Sequence, residues 1–284
     1  MVHFIPSTQR RIVMLATQAD TAPVLIYGAS GTGKSAIAKW IHTNSPRSTF
    51  PLVTAIPDTP IAEQLTQATN GTFTLPEVSA LPLSEQKTLL KFLSTKTIPH
   101  PQKKEMPLLL NIRIIACTSH VLEGRAQGGL FNHDLLKKLN VFRIEMPALA
   151  KRMDEFEDIV MALVGEIIRE LHKDHVRGLS EDAWNRLKNY EWPGNLRELR
   201  NILRVATVST KTNLIEETDL PDFGHDQLDF SATREEFETI YIKELLKTFN
   251  WDMDSACQIS RIDKKILLAK IKKYGIELPK GLPK

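Results

Sequence analysis

Gly28-Ala29-Ser30-Gly31-Thr32-Gly33-Lys34-Ser35 is the stretch that decides the fold. Val24-Leu25-Ile26-Tyr27 enters it as an apolar strand, and Ala36-Ile37-Ala38-Lys39-Trp40-Ile41-His42 leaves it as an amphipathic helix. Glycine, four residues, then Gly-Lys-Ser, set between a strand and a helix, is the pattern of a phosphate-binding loop, and a chance glycine-rich turn would not bring both flanks with it. Gly28, Gly31 and Gly33 permit the backbone angles that turn successive N–H groups inward, and the helix N-terminus adds its partial positive charge. On this reading Gly28, Ala29, Ser30, Gly31, Thr32, Gly33 and Lys34 hold the phosphates of a nucleotide such as ATP. Lys34 reaches the terminal pair, and Ser35 offers its hydroxyl to Mg²⁺.

Outward from the loop, apolar runs at Leu52–Ala55, Thr72–Leu75 and Ile112–Cys117 alternate with helical stretches at Ile61–Ala68 and Ser84–Leu93. Ser7 is a candidate cap for a first helix running to Gln18. The class is α/β with parallel strands packed between helices. From Met153 the periodicity turns helical: Phe156, Ile159, Val160, Leu163, Ile167, Ile168 and Leu171 form one stripe, and Ser180 and Asn195 are candidate caps of later helices. Residues 218–232, with Pro221, Gly224 and several acids, read as a linker. The expected organisation is an α/β nucleotide-binding subdomain over 1–148, a helical lid over 149–217, that linker, and a small all-α domain over 233–284.

At 284 residues, 42% apolar and 25% charged, the chain can bury a core for two or three domains. The N-terminus has no apolar segment followed by a cleavage site, and no run reaches membrane-spanning length, so the expected location is cytoplasmic with no membrane partner. Cys117 and Cys257 have no metal-spaced neighbours and read as reduced thiols, and the eight histidines form no ligand set.

Further residues carry a resemblance. They are Gly71-Thr72-Phe73 leading to Glu77, Leu81-Pro82-Leu83 with Leu89-Leu90, Ile112 to Thr118, Asp134-Leu135 with Leu139 to Arg143, and Trp192-Pro193-Gly194-Asn195-Leu196-Arg197-Glu198-Leu199. Together with the loop they resemble, nearly end to end, the bacterial enhancer-binding proteins, AAA+ activators of sigma-54 RNA polymerase. The resemblance implies an AAA+ core with a helical lid, and a chain that opens directly at that core without a preceding receiver domain. It also implies nucleotide contacts from Thr118, beside Ser119 at a strand end, and from Arg197 as the lid's sensor arginine. An intrahelical pair of Arg197 with neighbours on the Glu198 side, or a contact on the lid surface, is the alternative.

Three departures from the family set the expectation for activity. Where relatives end the third strand in Asp-Glu, this chain has Pro76-Glu77, and proline offers no side-chain oxygen to Mg²⁺. Glu77 then either orients an attacking water or is a solvated acid at a strand end. Asn132 and Lys138 occupy the positions of two arginines that act across a subunit boundary, and such arginines contribute roughly 10³–10⁵ in rate elsewhere. Finally, the sixteen residues Ile56–Gly71 leave room for one short helix and omit the family's Gly-Ala-Phe-Thr-Gly-Ala loop, so direct sigma-54 contact is not expected.

The C-terminal order resembles a Fis-type helix-turn-helix. Phe237, Ile240, Leu245 and Leu246 trace one helical face, a second helix begins at Ser255, and a third runs from Asp263 to Tyr274. From Arg261 onward eight basic residues face only Asp263 and Glu277, a net of +6 in a chain of +3. Arg261, Lys264, Lys265, Lys272 and Lys273 are the DNA-binding candidates; Ile266, Leu267 and Ile271 are the expected core of the third helix, leaving Lys264, Lys265, Leu268 and Lys272 for the groove, and Asp263 is an N-cap or a base contact.

Three functions compete. The first is a regulator that binds double-stranded DNA, forms a homo-oligomer (dimer or ring) and carries an ATP-binding, hydrolysis-impaired AAA+ domain. The second is a pseudo-ATPase that enters the ring of a related AAA+ activator as a hetero-oligomer. The third is an active ATPase that remodels polymerase.

Overall fold

The computed structural model describes residues 2–99, 106–223, 239, 242, 243, 245–247, 249, 251–260 and 262–276. The chain divides into two compact units, Met1–Arg152 and Met153–Lys284.

In the first unit the elements are α1 (Arg10–Gln18), β1 (Val24–Gly28), α2 (Lys34–Thr43), β2 (Leu52–Thr54), α3 (Ile61–Gln67), β3 (Thr72–Leu75) and α4 (Leu83–Thr95). Two short strands pair antiparallel next, β4 (Thr97–Ile98) with β5 (Leu108–Leu109), and then come β6 (Arg113–Thr118), α5 (Leu122–Gln127), α6 (His133–Leu139) and β7 (Phe142–Met146). The main sheet has the order β2-β3-β6-β1-β7 and every pairing in it is parallel. Alternation along each strand serves two cores. Leu25, Tyr27, Phe73, Leu75, Ile114 and Ala116 pack with α3, α4 and α6, whereas Val24, Ile26, Ile115, Cys117, Ile144 and Met146 pack with α1 and α2. Burial on both faces makes the strands read as nearly continuous apolar runs. Strand β1 lies inside the sheet between β6 and β7, and the loop after Tyr27 emerges at the carboxyl edge of the sheet, where parallel α/β folds place ligands.

The opposite edge is held by two arginines that the sequence reading did not single out. Arg47, 2% exposed, donates to the Asp20 carboxylate and main chain, to the carbonyls of Asn70, Gly71 and Asn111, and to the Asn111 side chain. Arg113, fully buried, donates to the carbonyls of Ala16 and Ala22, and burial, then Arg47, push its pKa down to about 10. Nearby His42 makes a hydrogen bond of 2.9 Å to the Thr72 hydroxyl, and burial, then Arg113, lower its pKa.

In the second unit α7 (Phe156–Leu171), α8 (Glu181–Lys188) and α9 (Asn195–Ser209) form a helical group, joined by a short parallel pair, β8 (Gly178–Leu179) with β9 (Leu214–Ile215), that helical periodicity does not reveal. Ser180 caps α8, its hydroxyl accepting from Ala183 N. Asn195 is not the cap expected of it: it is the first residue of α9, with φ +55°, and donates to the Pro193 carbonyl. The Ser7 expectation also shifts, because Ser7–Gln9 is a 3₁₀ turn that precedes α1. Ion pairs stitch α9 to α7, Arg200 to Glu166 and Glu170, and Arg204 to Glu170. The last described elements are α10 (Met253–Ser260) and α11 (Lys264–Lys273), packed through Ala256, Leu267 and Ile271 with Leu245, Leu246 and Ile276. Among the described residues no helix is long and apolar enough to cross a membrane, and no group of three or more His, Cys, Asp or Glu is placed to hold a metal.

Candidate nucleotide site

The loop is built as its residue types require. Gly31 and Gly33 have φ of +79° and +94°, and a Cβ on Gly28 would lie 2.4 Å from the Met146 carbonyl and 2.8 Å from Thr32 Oγ1. Thr32, 1% exposed, closes the turn by donating its hydroxyl to the Ala29 carbonyl at 2.9 Å. Lys34, 9% exposed, folds its ammonium over the loop and donates to the carbonyls of Gly28 (2.6 Å) and Ala29 (2.9 Å). A fixed cation, the N-terminus of the ten-residue α2 and a cradle with no space for side chains at Gly28 suit a polyphosphate chain. Ser35 is exposed in the first turn of α2, and Pro76, at the end of β3, adds no side-chain oxygen for Mg²⁺.

Glu77, half-buried with 29% of its side chain in water, is engaged by donors from two segments. Ser79 donates its hydroxyl to Glu77 Oε1 at 2.7 Å and its N–H at 3.3 Å, while Ser119 donates its N–H to Oε2 at 2.7 Å and its hydroxyl at 2.5 Å. His120 Nδ1 lies 3.0 Å from Ser79 Oγ and 3.8 Å from Glu77 Oε1. Burial alone would raise the carboxyl pKa. The hydroxyls of Ser119, Ser79 and Thr118 and the Ser119 N–H outweigh it and bring the pKa down to about 2. So held, Glu77 clamps the end of β3 to the end of β6 and is a weak base. Thr118 is fully buried beside Tyr27 in the register, and its hydroxyl accepts from His120 N at 3.0 Å and donates to the His120 carbonyl at 3.3 Å. Cys117 ties these groups to one neighbourhood: burial raises its thiol to about 12, with Lys34 pulling it down and Glu77 pushing it up.

The surrounding residues have local reasons of their own. Asn132 caps α6, its side-chain oxygen accepting from Asp134 N and Leu135 N at 2.9 Å, and Lys138 is exposed. The Asn-His-Asp run is an N-cap signature that the sequence already carried. Sequence reading missed the shell behind the loop, where the Arg143 guanidinium stacks 4.4 Å from the Tyr27 ring and pairs with Glu123 at 2.8 Å. Burial, then Glu123, push the Tyr27 hydroxyl up to about 12 against the lowering by Arg143. In the second unit Arg197 is exposed and has no hydrogen bond or ion pair among the described residues. The Glu198 carboxylate beside it accepts from Tyr190 Oη at 2.9 Å and Gly194 N at 2.7 Å.

Of the DNA-binding candidates, Lys265, Lys272 and Lys273 are exposed on α11, and Lys273 lies over the Tyr274 ring at 5.2 Å. Lys264 is paired with Asp254 at 2.6 Å. Asp263 is the N-cap, accepting from Lys265 N at 2.8 Å. Ile266, expected in the core, is 53% exposed. Arg261, and Phe237 and Ile240 of the expected first helical face, lie outside the described residues.

Residues 5–149 match the sigma-54 interaction domain and residues 150–236 an AAA+ ATPase lid domain. The alginate biosynthesis transcriptional regulatory protein AlgB of Pseudomonas syringae is 30% identical over 286 residues, covering 90% of this chain and 62% of that protein. The transcriptional regulatory protein GlrR of Escherichia coli is 30% identical over 280 residues, with 87% and 61% covered. The chain thus spans about three-fifths of the length of these curated relatives. Among solved structures, NtrX from Brucella abortus in complex with ATP superposes with a TM-score of 0.65 at 25% identity, covering 95% of this chain and 67% of that one. With its P-loop at the carboxyl edge of a parallel sheet, a helical lid behind it in sequence and these two domain matches, the chain belongs to the sigma-54-interaction AAA+ family of transcriptional regulators.

Proposed function

We propose that this chain is a DNA-binding transcriptional regulator whose AAA+ domain binds ATP and hydrolyses it poorly. The observation that carries the reading is an intact phosphate loop beside a β3 end where Pro76 supplies no metal ligand and Glu77 is saturated by serine donors. ATP binding is supported by the Lys34 cradle and by the NtrX complex with ATP, and Arg197 is the lid residue assigned to sense it. Mg²⁺ would have Ser35 and the phosphates as its ligands, a thin set for a cation that favours octahedral oxygen coordination. Asn132 and Lys138 leave the charge that develops on the transferred phosphate without a planar guanidinium.

Two further parts belong to the same reading. Only α3 and its connections lie between β2 and β3, which supports the absence of the sigma-54 contact loop. The segment 233–284 acts as a Fis-type helix-turn-helix on double-stranded DNA, and the protein works as a homo-oligomer in the cytoplasm. Parallel titrations of ATP binding and ATP turnover with Mg²⁺ test the proposal. Binding with turnover near background is expected, and vigorous hydrolysis abolished by Lys34→Ala would overturn it.

A further inference from the structure

On α11, Lys265, Leu268, Ala269 and Lys272 occupy positions i, i+3, i+4 and i+7, one stripe of a helix, and all four are exposed. Leu268 keeps 46% of its surface in water although the inward face of α11 is already filled by Leu267 and Ile271. Packing of this segment therefore does not call for a leucine there. Two lysines seven residues apart stand about 10 Å from each other along the helix axis, close to the roughly 12 Å width of a DNA major groove. Between them the helix offers only apolar atoms. Lys264 and Asp263 do not share this task, since Lys264 is paired with Asp254 and Asp263 caps the helix.

We propose that this stripe reads DNA through the 5-methyl group of thymine: Leu268 and Ala269 meet the methyls while Lys265 and Lys272 hold the phosphates on either side. This rests on the reading of 233–284 as a DNA-binding segment and adds what that segment recognises. Thymine is the base that presents an apolar group in the major groove, and side chains without donors or acceptors discriminate there by methyl contact. Charge complementarity selects the duplex over a second copy of the chain, because a two-fold pairing of this stripe would set Lys265 and Lys272 against lysines.

The test uses the full chain and duplexes selected from a random pool at low salt, each remade with deoxyuridine in place of thymidine. Loss of the methyl should weaken binding about fourfold for each contacted thymine, the change expected for one buried methyl-sized group. Leu268→Gln, a polar change at an exposed helical site checked by circular dichroism, should shrink the difference between thymine and uracil duplexes to the part contributed by Ala269, and an undiminished difference would take Leu268 out of the contact. If the unaltered protein binds both duplex types equally, the thymine assignment is overturned while DNA binding stands. If it binds no duplex even at low salt, the DNA reading itself fails and the assignment with it.

Discussion

Replacing Glu77 by glutamine should show whether the carboxylate is a clamp. Four donors from Ser79 and Ser119 converge on it, and its pKa falls from 4.5 to about 2. Unscreened, such a shift corresponds to about 3 kcal/mol of preference for the charged form in the folded state. Its side chain keeps 29% of its surface in water, so we expect about 1–2 kcal/mol to survive screening. A carboxylate depressed by folding stabilises above its unfolded pKa, and that contribution fades as pH falls from about 4.5 toward 2. Urea denaturation of the wild type and Glu77→Gln at several pH values measures the gap between them. It should be about 1–2 kcal/mol at pH 6 and should close by roughly three-fifths or more by pH 3.5. Ser119→Ala should cost less in the Glu77→Gln background than in the wild type, by about 0.5–1 kcal/mol, because the two changes remove one shared interaction. A gap that stays constant from pH 6 to pH 3.5, or costs that simply add, would refute the clamp and return Glu77 to the role of an ordinary surface acid.

Other expectations follow from the same geometry. Pro76→Asp alone should leave ATP turnover near background in a phosphate-release assay, since Asn132 still caps α6 and Lys138 still lacks a guanidinium fork. Arg197→Ala should weaken ATP binding in equilibrium titration without lowering the melting temperature of the nucleotide-free protein by more than a degree or two, about 0.5 kcal/mol, because Arg197 has no partner to lose among the described residues. Asp20→Ala should destabilise the first unit by about 1–3 kcal/mol in urea, as Arg47 then keeps its carbonyl acceptors but loses its carboxylate. The purified chain with sigma-54 polymerase and ATP should form no open complexes in a permanganate footprint, and their appearance would show that contact does not need the loop missing between β2 and β3.

The phosphate loop was legible because its chemistry is local: eight consecutive residues and two flanks specify it. Strand positions fell within one or two residues because burial on both faces writes itself as an apolar run. The exception in the main sheet is β7, where Arg143 and Glu145 break the apolar run, whereas Arg113, inside the run read as Ile112–Cys117, is the buried first residue of β6. Its partners, and those of Arg47, are mostly main-chain carbonyls brought in from distant loops, and carbonyls carry no residue identity for a sequence to display. Glu77 was half legible for the same reason. Ser79 is two residues away, but Ser119 arrives from the neighbouring strand, and only the sheet order brings the two together.

The C-terminal helix shows what a wrong assignment of its core does to a test. Counting apolar residues places Ile266 inside with Leu267 and Ile271, and so makes Lys264 and Lys265 the natural pair to neutralise. The observed packing turns the helix: Leu267 and Ile271 face the core, Ile266 is exposed, and Lys264 is spent on Asp254. Lys265 and Lys272 then lie on the outward stripe. On duplex DNA the double change Lys265→Ala, Lys272→Ala should reduce the slope of log affinity against log salt by about 1.8, about 0.9 for each phosphate that is no longer neutralised. Lys264→Ala should change it far less, because its ammonium must first leave a carboxylate to reach a phosphate. Slopes measured for the three proteins on one duplex between about 50 and 200 mM salt settle the matter. Equal reductions from Lys264→Ala and from the double change would mean that α11 meets DNA by its N-terminal end, contrary to the stripe.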